Sequence, residues 1–173
     1  IMNGSPMISP DRKQILDAAY ARERARLAAL AARDAPQGDY LRPVFGEGEP
    51  SARVLFIGEA PGREEAESGM PFVGKAGRQL NALLQAAGID RTAAYVTNVV
   101  KYRPVVRGAH TVKNRTPGRT EVAESLSLLC LELLTLRPHT VVTLGNTPLN
   151  AVLALSGQQK SVIGALHGRP HPI

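Results

Sequence analysis

The sequence predicts an α/β fold, a three-layer α/β/α sandwich with a mainly parallel central sheet. Two observations predict it. Three short, almost continuous apolar runs stand at Arg53–Ile57 (RVLFI), Ala94–Val100 (AYVTNVV) and Thr140–Leu144 (TVVTL), the pattern of strands buried on both faces. Helical segments alternate with them, as crossovers between parallel strands require. The 173 residues read as one domain, residues 1–173, with residues 1–10 a flexible terminus or tag.

The elements follow in order. Asp11 to Arg33 is predicted helical: Asp11 follows Pro10 as a cap, and Ile15, Leu16, Ala19, Leu27 and Leu30 recur near helical spacing. Residues 35–50 are rich in Gly and Pro and read as a loop. The first strand ends at Gly58 and leads into a long loop, Glu59 to Val73. Lys75 to Ala87 is an amphipathic helix closed by Gly88. The second strand opens into an irregular basic loop, Lys101 to Pro117. Arg119 to Leu136 is a helix, the third strand follows, and Asn146 to Leu155 is the last helix. The tail from Gly157 is broken by Gly and Pro.

Composition narrows the function classes. Hydrophobic residues make up 43% and charged residues 21%, enough for a buried core and unlike a disordered chain. No apolar run approaches the roughly 18 residues of a membrane span, and the opening residues lack the apolar core of a signal peptide. A single cysteine, Cys130, excludes an internal disulfide framework and a cysteine-ligated metal site. A cytoplasmic home is expected. The net charge of +6, with Arg outnumbering Lys 16 to 5, suits a polyanionic partner.

In open α/β sheets, function gathers at the carboxyl ends of the strands. The loops there begin at Gly58, Asn98 and Gly145. The first reads GEAPG, Gly58 to Gly62, where small residues let a ligand approach the backbone and Glu59 offers a carboxylate. A tight turn with a surface Glu is the alternative; a phosphate-binding GxxxxGK[ST] pattern is absent, which weakens a nucleotide-binding enzyme as a reading. Phe72, one of seven aromatics, sits in the Gly-rich segment GMPFVGKAG, either as a plug to the core or as a stacking face for a base. Asn98 pairs a donor with an acceptor, which matches the N3–H and O4 edge of uracil as an amide can match other base edges, or it forms a turn. The basic loop carries Lys101, Arg103, Arg107, Lys113, Arg115 and Arg119, with no acid until Glu121, and reads as a phosphate-contacting segment, with a merely solvated basic loop as the alternative.

Taken together, FGEGEP (Phe45 to Pro50), VLFIGEAPG, PFVGKAGRQLNALL, YVTNVVKYRP, NRTP and LRPHTVVTLGN resemble the uracil-DNA glycosylases of family 4, the iron–sulfur type. The resemblance spans about Ala32 to Gly168. It implies that Glu59 is the catalytic carboxylate, that the backbone around Gly58, Ala60, Pro61 and Gly62 faces the flipped base and its sugar, that Phe72 stacks on uracil, and that Asn98 reads its edge. The family also uses a His-Pro motif, for which His171-Pro172 is the candidate, although it stands too early by about a strand and a turn.

Two departures follow. The family ligates a [4Fe–4S] cluster through four cysteines, and the resemblance places those ligands at Ala32, Ala35, Tyr102 and Ser125, none of which is a ligand. No cofactor is therefore expected, and Cys130 is expected to be helix packing. The segment TPGRTEV (Thr116 to Val122) is also similar to a covalent subgroup whose attacking His falls here on Asn114, with His110 four residues earlier; covalent capture is not expected. The resemblance implies a monofunctional, monomeric enzyme that excises uracil from single- or double-stranded DNA, with no membrane partner. A non-catalytic DNA-binding homologue is the alternative.

Overall fold

The computed structural model describes residues 11–33 and 37–172. The terminus at residues 1–10 and the position Ala35 lie outside the described residues. The elements in chain order are α1 (Arg12–Ala31), β1 (Glu47–Gly48), β2 (Val54–Gly58), α2 (Arg63–Ser68), α3 (Lys75–Ala86), a short 3₁₀ turn at Arg91–Ala93, β3 (Ala94–Asn98), β4 (Val105–Arg107), β5 (Val112–Asn114), α4 (Arg119–Leu136), β6 (Thr140–Thr143), α5 (Asn146–Leu155) and α6 (Ile163–Leu166).

The main sheet has the order β1-β3-β2-β6. The central strand β2 runs parallel to both β3 and β6, and only the two-residue β1 is antiparallel, at the outer edge of β3. Alternation along each strand divides the core. Leu55, Ile57 and Tyr95 point to one face, where Leu16 and Leu27 of α1, Leu129 and Leu136 of α4, and Val152 of α5 cover them. Phe56 and Val96 point to the other, against Phe72 and Leu80 and Leu84 of α3. The sandwich is thus an α/β fold with a mainly parallel sheet. After the edge strand β1 the chain enters the parallel part at β2, crosses to β3 through α3 and returns past β2 to β6 through α4. The carboxyl end of β2 is therefore the switch point, where the outgoing loops diverge and a crevice forms.

Two of the segments read as loops hold further structure, and one strand ends earlier than its apolar run. The Glu59–Val73 stretch contains α2, too short for an apolar repeat, started by Gly62 with Glu64 and Glu65 in its first turn. The basic loop contains the antiparallel hairpin β4–β5, whose turn is closed by Gly108 N–H donating to the Thr111 carbonyl at 2.8 Å. The second strand ends at Asn98 rather than Val100, and beyond it the Val99 and Val100 N–H groups donate to the Gly58 and Glu59 carbonyls at 2.9 and 3.1 Å.

Candidate active site

The crevice is built from three loops. Gly58 ends β2 with Asn98 of β3 directly opposite in register. A Cβ at Gly58 would overlap Asn98 Oδ1 and stand 2.7 Å from Phe72 Cζ, so only glycine lets these three groups converge. Phe72 is itself held in a left-handed conformation, φ 58°, which costs a non-glycine residue roughly 1–3 kcal/mol and persists only where neighbours impose it. The imposing neighbour is α3: a Cβ at Gly77 would collide with the Phe72 carbonyl, so the missing side chain lets the helix press against that peptide.

Asn98 retains 5% of its exposure, and its side-chain amide makes no hydrogen bond with another described residue. Every fully buried side-chain N or O atom among the described residues has a partner, so this amide must reach solvent through the crevice. It is a donor–acceptor pair presented beside an aromatic ring, with no partner among the described residues.

Glu59 is half-buried, and its Oε2 accepts a hydrogen bond from Thr147 Oγ1 at 2.5 Å. Thr147 lies in the first turn of α5, whose N-terminal dipole favours a carboxylate there. The second oxygen, Oε1, has no partner among the described residues.

Glu65, which the sequence did not single out, clamps the first two loops together. Its buried carboxylate accepts from Gly74 N–H at 2.7 Å and from Gly62 N–H at 3.1 Å. The signal available in the sequence was an acid three residues after a helix-starting glycine. Pro61 is buried, while Ala60 and Gly62 are half-buried. Asn114, at the end of the hairpin, accepts from Arg103 Nε at 2.6 Å, and its Nδ2 would lie 3.5 Å from a Cβ at Gly62, so the hairpin base abuts the GEAPG loop. An open cavity of about 740 Å³ lies alongside, lined by Arg24, Phe45 and Met70 among others, but by none of Gly58, Glu59, Phe72 or Asn98.

Several expected contacts are corrected. Lys101 is not a phosphate contact: it is 1% exposed, with Nζ 2.7 Å from Glu132 Oε2 in the core. Burial pushes its pKa below the ordinary lysine value, against the opposing pull of Glu132. Arg103 is buried and braces the hairpin, bonded to Asp39 and Asn114. Arg115 is spent on Glu121, through Nη1 at 2.5 Å and Nη2 at 2.9 Å. Arg107 is half-exposed beside Asp39, while Lys113 and Arg119 are exposed. His171 is corrected too. Its Nε2 lies 2.7 Å from Gln158 Oε1, beyond the carboxyl end of α5. Thr147, the residue on Glu59, is near the other end of that helix, roughly 12 Å from its last residue along the axis.

The positions implied for cluster ligation do not fit an iron–sulfur group. Tyr102 is 3% exposed, packed edge-on against Tyr40 at 4.6 Å, and its OH donates to Glu121 Oε1 at 2.8 Å. Ser125 is buried and donates to the Glu121 carbonyl at 2.8 Å. Ala32 follows α1 directly. Phenol, hydroxyl and methyl groups replace the thiolates that iron needs. Burial works to raise the Glu121 pKa, but hydrogen bonds from Arg115, Gly118 N–H and Tyr102 outweigh it and hold the carboxyl below its ordinary value. Cys130 is half-buried on α4.

Comparison with known proteins identifies a family. The profile of the uracil DNA glycosylase superfamily matches residues 45–172. The chain is 39% identical over 126 residues to a type-4 uracil-DNA glycosylase of Pyrobaculum aerophilum, covering 73% of this chain and 61% of that protein. It is 42% identical over 107 residues to one of Thermotoga maritima, covering 62% and 52%. It is 35% identical over 130 residues to one of Archaeoglobus fulgidus, covering 75% and 62%. The chain thus spans between half and two thirds of the length of these curated relatives.

Proposed function

Since the chain belongs to the uracil DNA glycosylase superfamily, we propose that it excises uracil from DNA by hydrolysing the N-glycosidic bond, the first step of base-excision repair. The observation that carries the reading is the Asn98 amide, buried and unpartnered within the described residues, beside Gly58 and the Phe72 ring. A flipped uracil supplies what this amide lacks, an N3–H for its oxygen and an O4 for its nitrogen, and a flat face for Phe72.

Flipping costs a few kcal/mol, offset by these contacts. As the glycosidic bond lengthens, positive charge develops on the sugar and negative charge on the base. Glu59, steadied by Thr147, stabilises the cationic sugar and holds the attacking water on its open oxygen. The backbone of Gly58, Ala60, Pro61 and Gly62 lines the sugar side, and Glu65 keeps that loop in register with the Phe72 segment. His171 takes no part. Arg107, Lys113 and Arg119 supply phosphate contacts, and Lys113 and Arg119 are the outward-facing pair. No helix among the described residues is long and apolar enough to cross a membrane. The enzyme works as a monomer in the cytoplasm, on single- or double-stranded DNA, and without a metal or cluster.

The test is an oligonucleotide carrying one uracil, incubated with the protein and cleaved with alkali at the abasic site. Glu59→Gln keeps the acceptor for Thr147 but removes the charge. It should slow excision by roughly 10²-fold or more while leaving DNA affinity near wild type. A wild-type protein that binds this DNA and leaves it intact would refute the reading. The purified protein should be colourless; iron at one cluster per chain would refute the cofactor-free part alone.

A further inference from the structure

The charged pair Lys101–Glu132 lies under the site and has no place in the chemistry so far described. Both side chains are essentially inaccessible, at 1% and 0% exposure. The Lys101 ammonium spends all three of its protons: on Glu132 Oε2 at 2.7 Å, on Thr97 Oγ1 at 2.7 Å and on the main-chain carbonyl of Asn98 at 2.5 Å. Glu132 Oε1 in turn accepts from Thr97 Oγ1 at 3.0 Å and from Tyr20 OH at 2.6 Å, and Tyr20 OH lies 3.0 Å from Tyr95 OH. One connected network therefore links α1, α4 and β3 to the peptide that carries Asn98.

A buried ion pair is a poor way to stabilise a core, because desolvating two charges costs about as much as their attraction returns, and apolar replacements of similar volume are often neutral or better. What the ammonium does that an apolar group cannot is hold the Asn98 carbonyl. That carbonyl stands where the strand ends. The next two N–H groups donate to the Gly58 and Glu59 carbonyls, so the peptide after Asn98 is fixed from one side by the start of the GEAPG loop and from the other by Lys101. Rotation of that peptide would swing the Asn98 side chain away from Gly58 and Phe72.

We propose that Lys101, with Glu132 and Thr97, is a positioning unit for Asn98: its ammonium holds the Asn98 carbonyl and so aims the side-chain amide at the base. The inference rests on the reading of Asn98 as the group that contacts uracil. Neither Lys101 nor Glu132 touches the substrate, and their effect on excision passes entirely through Asn98.

A double-mutant cycle separates this from a structural role. Lys101→Met with Glu132→Leu removes both charges together and leaves no orphaned ion. Thermal melting should place this variant near or above wild type. Its kcat/KM on a uracil-containing oligonucleotide should nevertheless fall by roughly 10- to 10²-fold, the scale of a misplaced contact group. Added to Asn98→Ala, the same pair of substitutions should cost less than about twofold more, because the residue they act through is gone. Thr97→Val, which keeps the ion pair but removes the hydroxyl bonded to both of its members, provides a second entry to the cycle if the double variant does not fold, with a smaller loss that also vanishes in Asn98→Ala. Losses that multiply with Asn98→Ala, or a folded double variant with wild-type excision, would overturn the positioning role. If Asn98→Ala itself excises uracil like wild type, the reading of Asn98 fails and this inference with it. An impaired Asn98→Ala beside a fully active Lys101→Met/Glu132→Leu overturns the inference alone.

Discussion

Tyr102 stands where the resemblance places a cluster ligand, so its removal measures what its own contacts contribute to this region. Two substitutions divide its contribution. Tyr102→Phe deletes only the OH that donates to Glu121 at 2.8 Å. A hydrogen bond to a charged group contributes about 1.5–3 kcal/mol, but Glu121 keeps Arg115 and the Gly118 N–H, so the acceptor is not orphaned and the loss should be near the lower figure. Tyr102→Ala also deletes a ring that is 3% exposed and in edge contact with Tyr40. Removing a buried aromatic costs about 3–5 kcal/mol through lost burial and the cavity left behind. For a chain of this size 1 kcal/mol is about 2–4 °C in Tm. Tyr102→Phe should therefore melt lower by roughly 3–6 °C and Tyr102→Ala by roughly 6–20 °C. The chain has no Trp, so far-UV circular dichroism in urea or on heating is the suitable signal. A Tyr102→Ala variant within about 1 kcal/mol of wild type would refute the argument that this ring fills and fastens the region.

Other outcomes follow from the same contacts. Glu121 has a depressed folded-state pKa, so its stabilising contribution is complete above the unfolded carboxyl value and is lost as pH falls through the folded one. Melting curves from pH 7 down to pH 3 should show Glu121→Gln losing less stability than wild type on acidification, and parallel curves would contradict this. Gly77→Ala forces a methyl into the Phe72 carbonyl, and the displaced ring should lower uracil excision at least about tenfold with an overpacking cost of roughly 1–3 kcal/mol; an unchanged rate would show that the close approach is dispensable. Lys113→Ala and Arg119→Ala should each reduce the slope of log affinity against log salt by up to about one and weaken uracil-containing and undamaged DNA alike. A loss confined to uracil-containing DNA would argue against phosphate contact.

The layered fold and the parallel strands were legible because period and composition are local: five apolar residues ending in Gly58 announce a buried strand wherever they occur. Glu59, Phe72 and Asn98 were legible for a similar reason, since each closes or follows such a strand, or lies in its outgoing loop. By contrast, α2 and the β4–β5 hairpin are too short to carry a period, and appear only once Glu65 and Arg103 fasten them. Charge was where the sequence misled. Lys101, Arg103 and Arg115 looked like one basic surface with Lys113 and Arg119, because a residue's type reveals its charge but not its partner. Their partners Glu132, Asp39 and Glu121 are 31, 64 and 6 residues away. His171 was read from a dipeptide, while its place depends on which end of α5 the tail returns to. The sequence by itself determined what each strand buries and which chemical groups stand at its carboxyl end. Tertiary structure decided which cations meet solvent and which meet a carboxylate, because the cost of desolvating a charge depends on neighbours that only chain folding brings within a few ångströms.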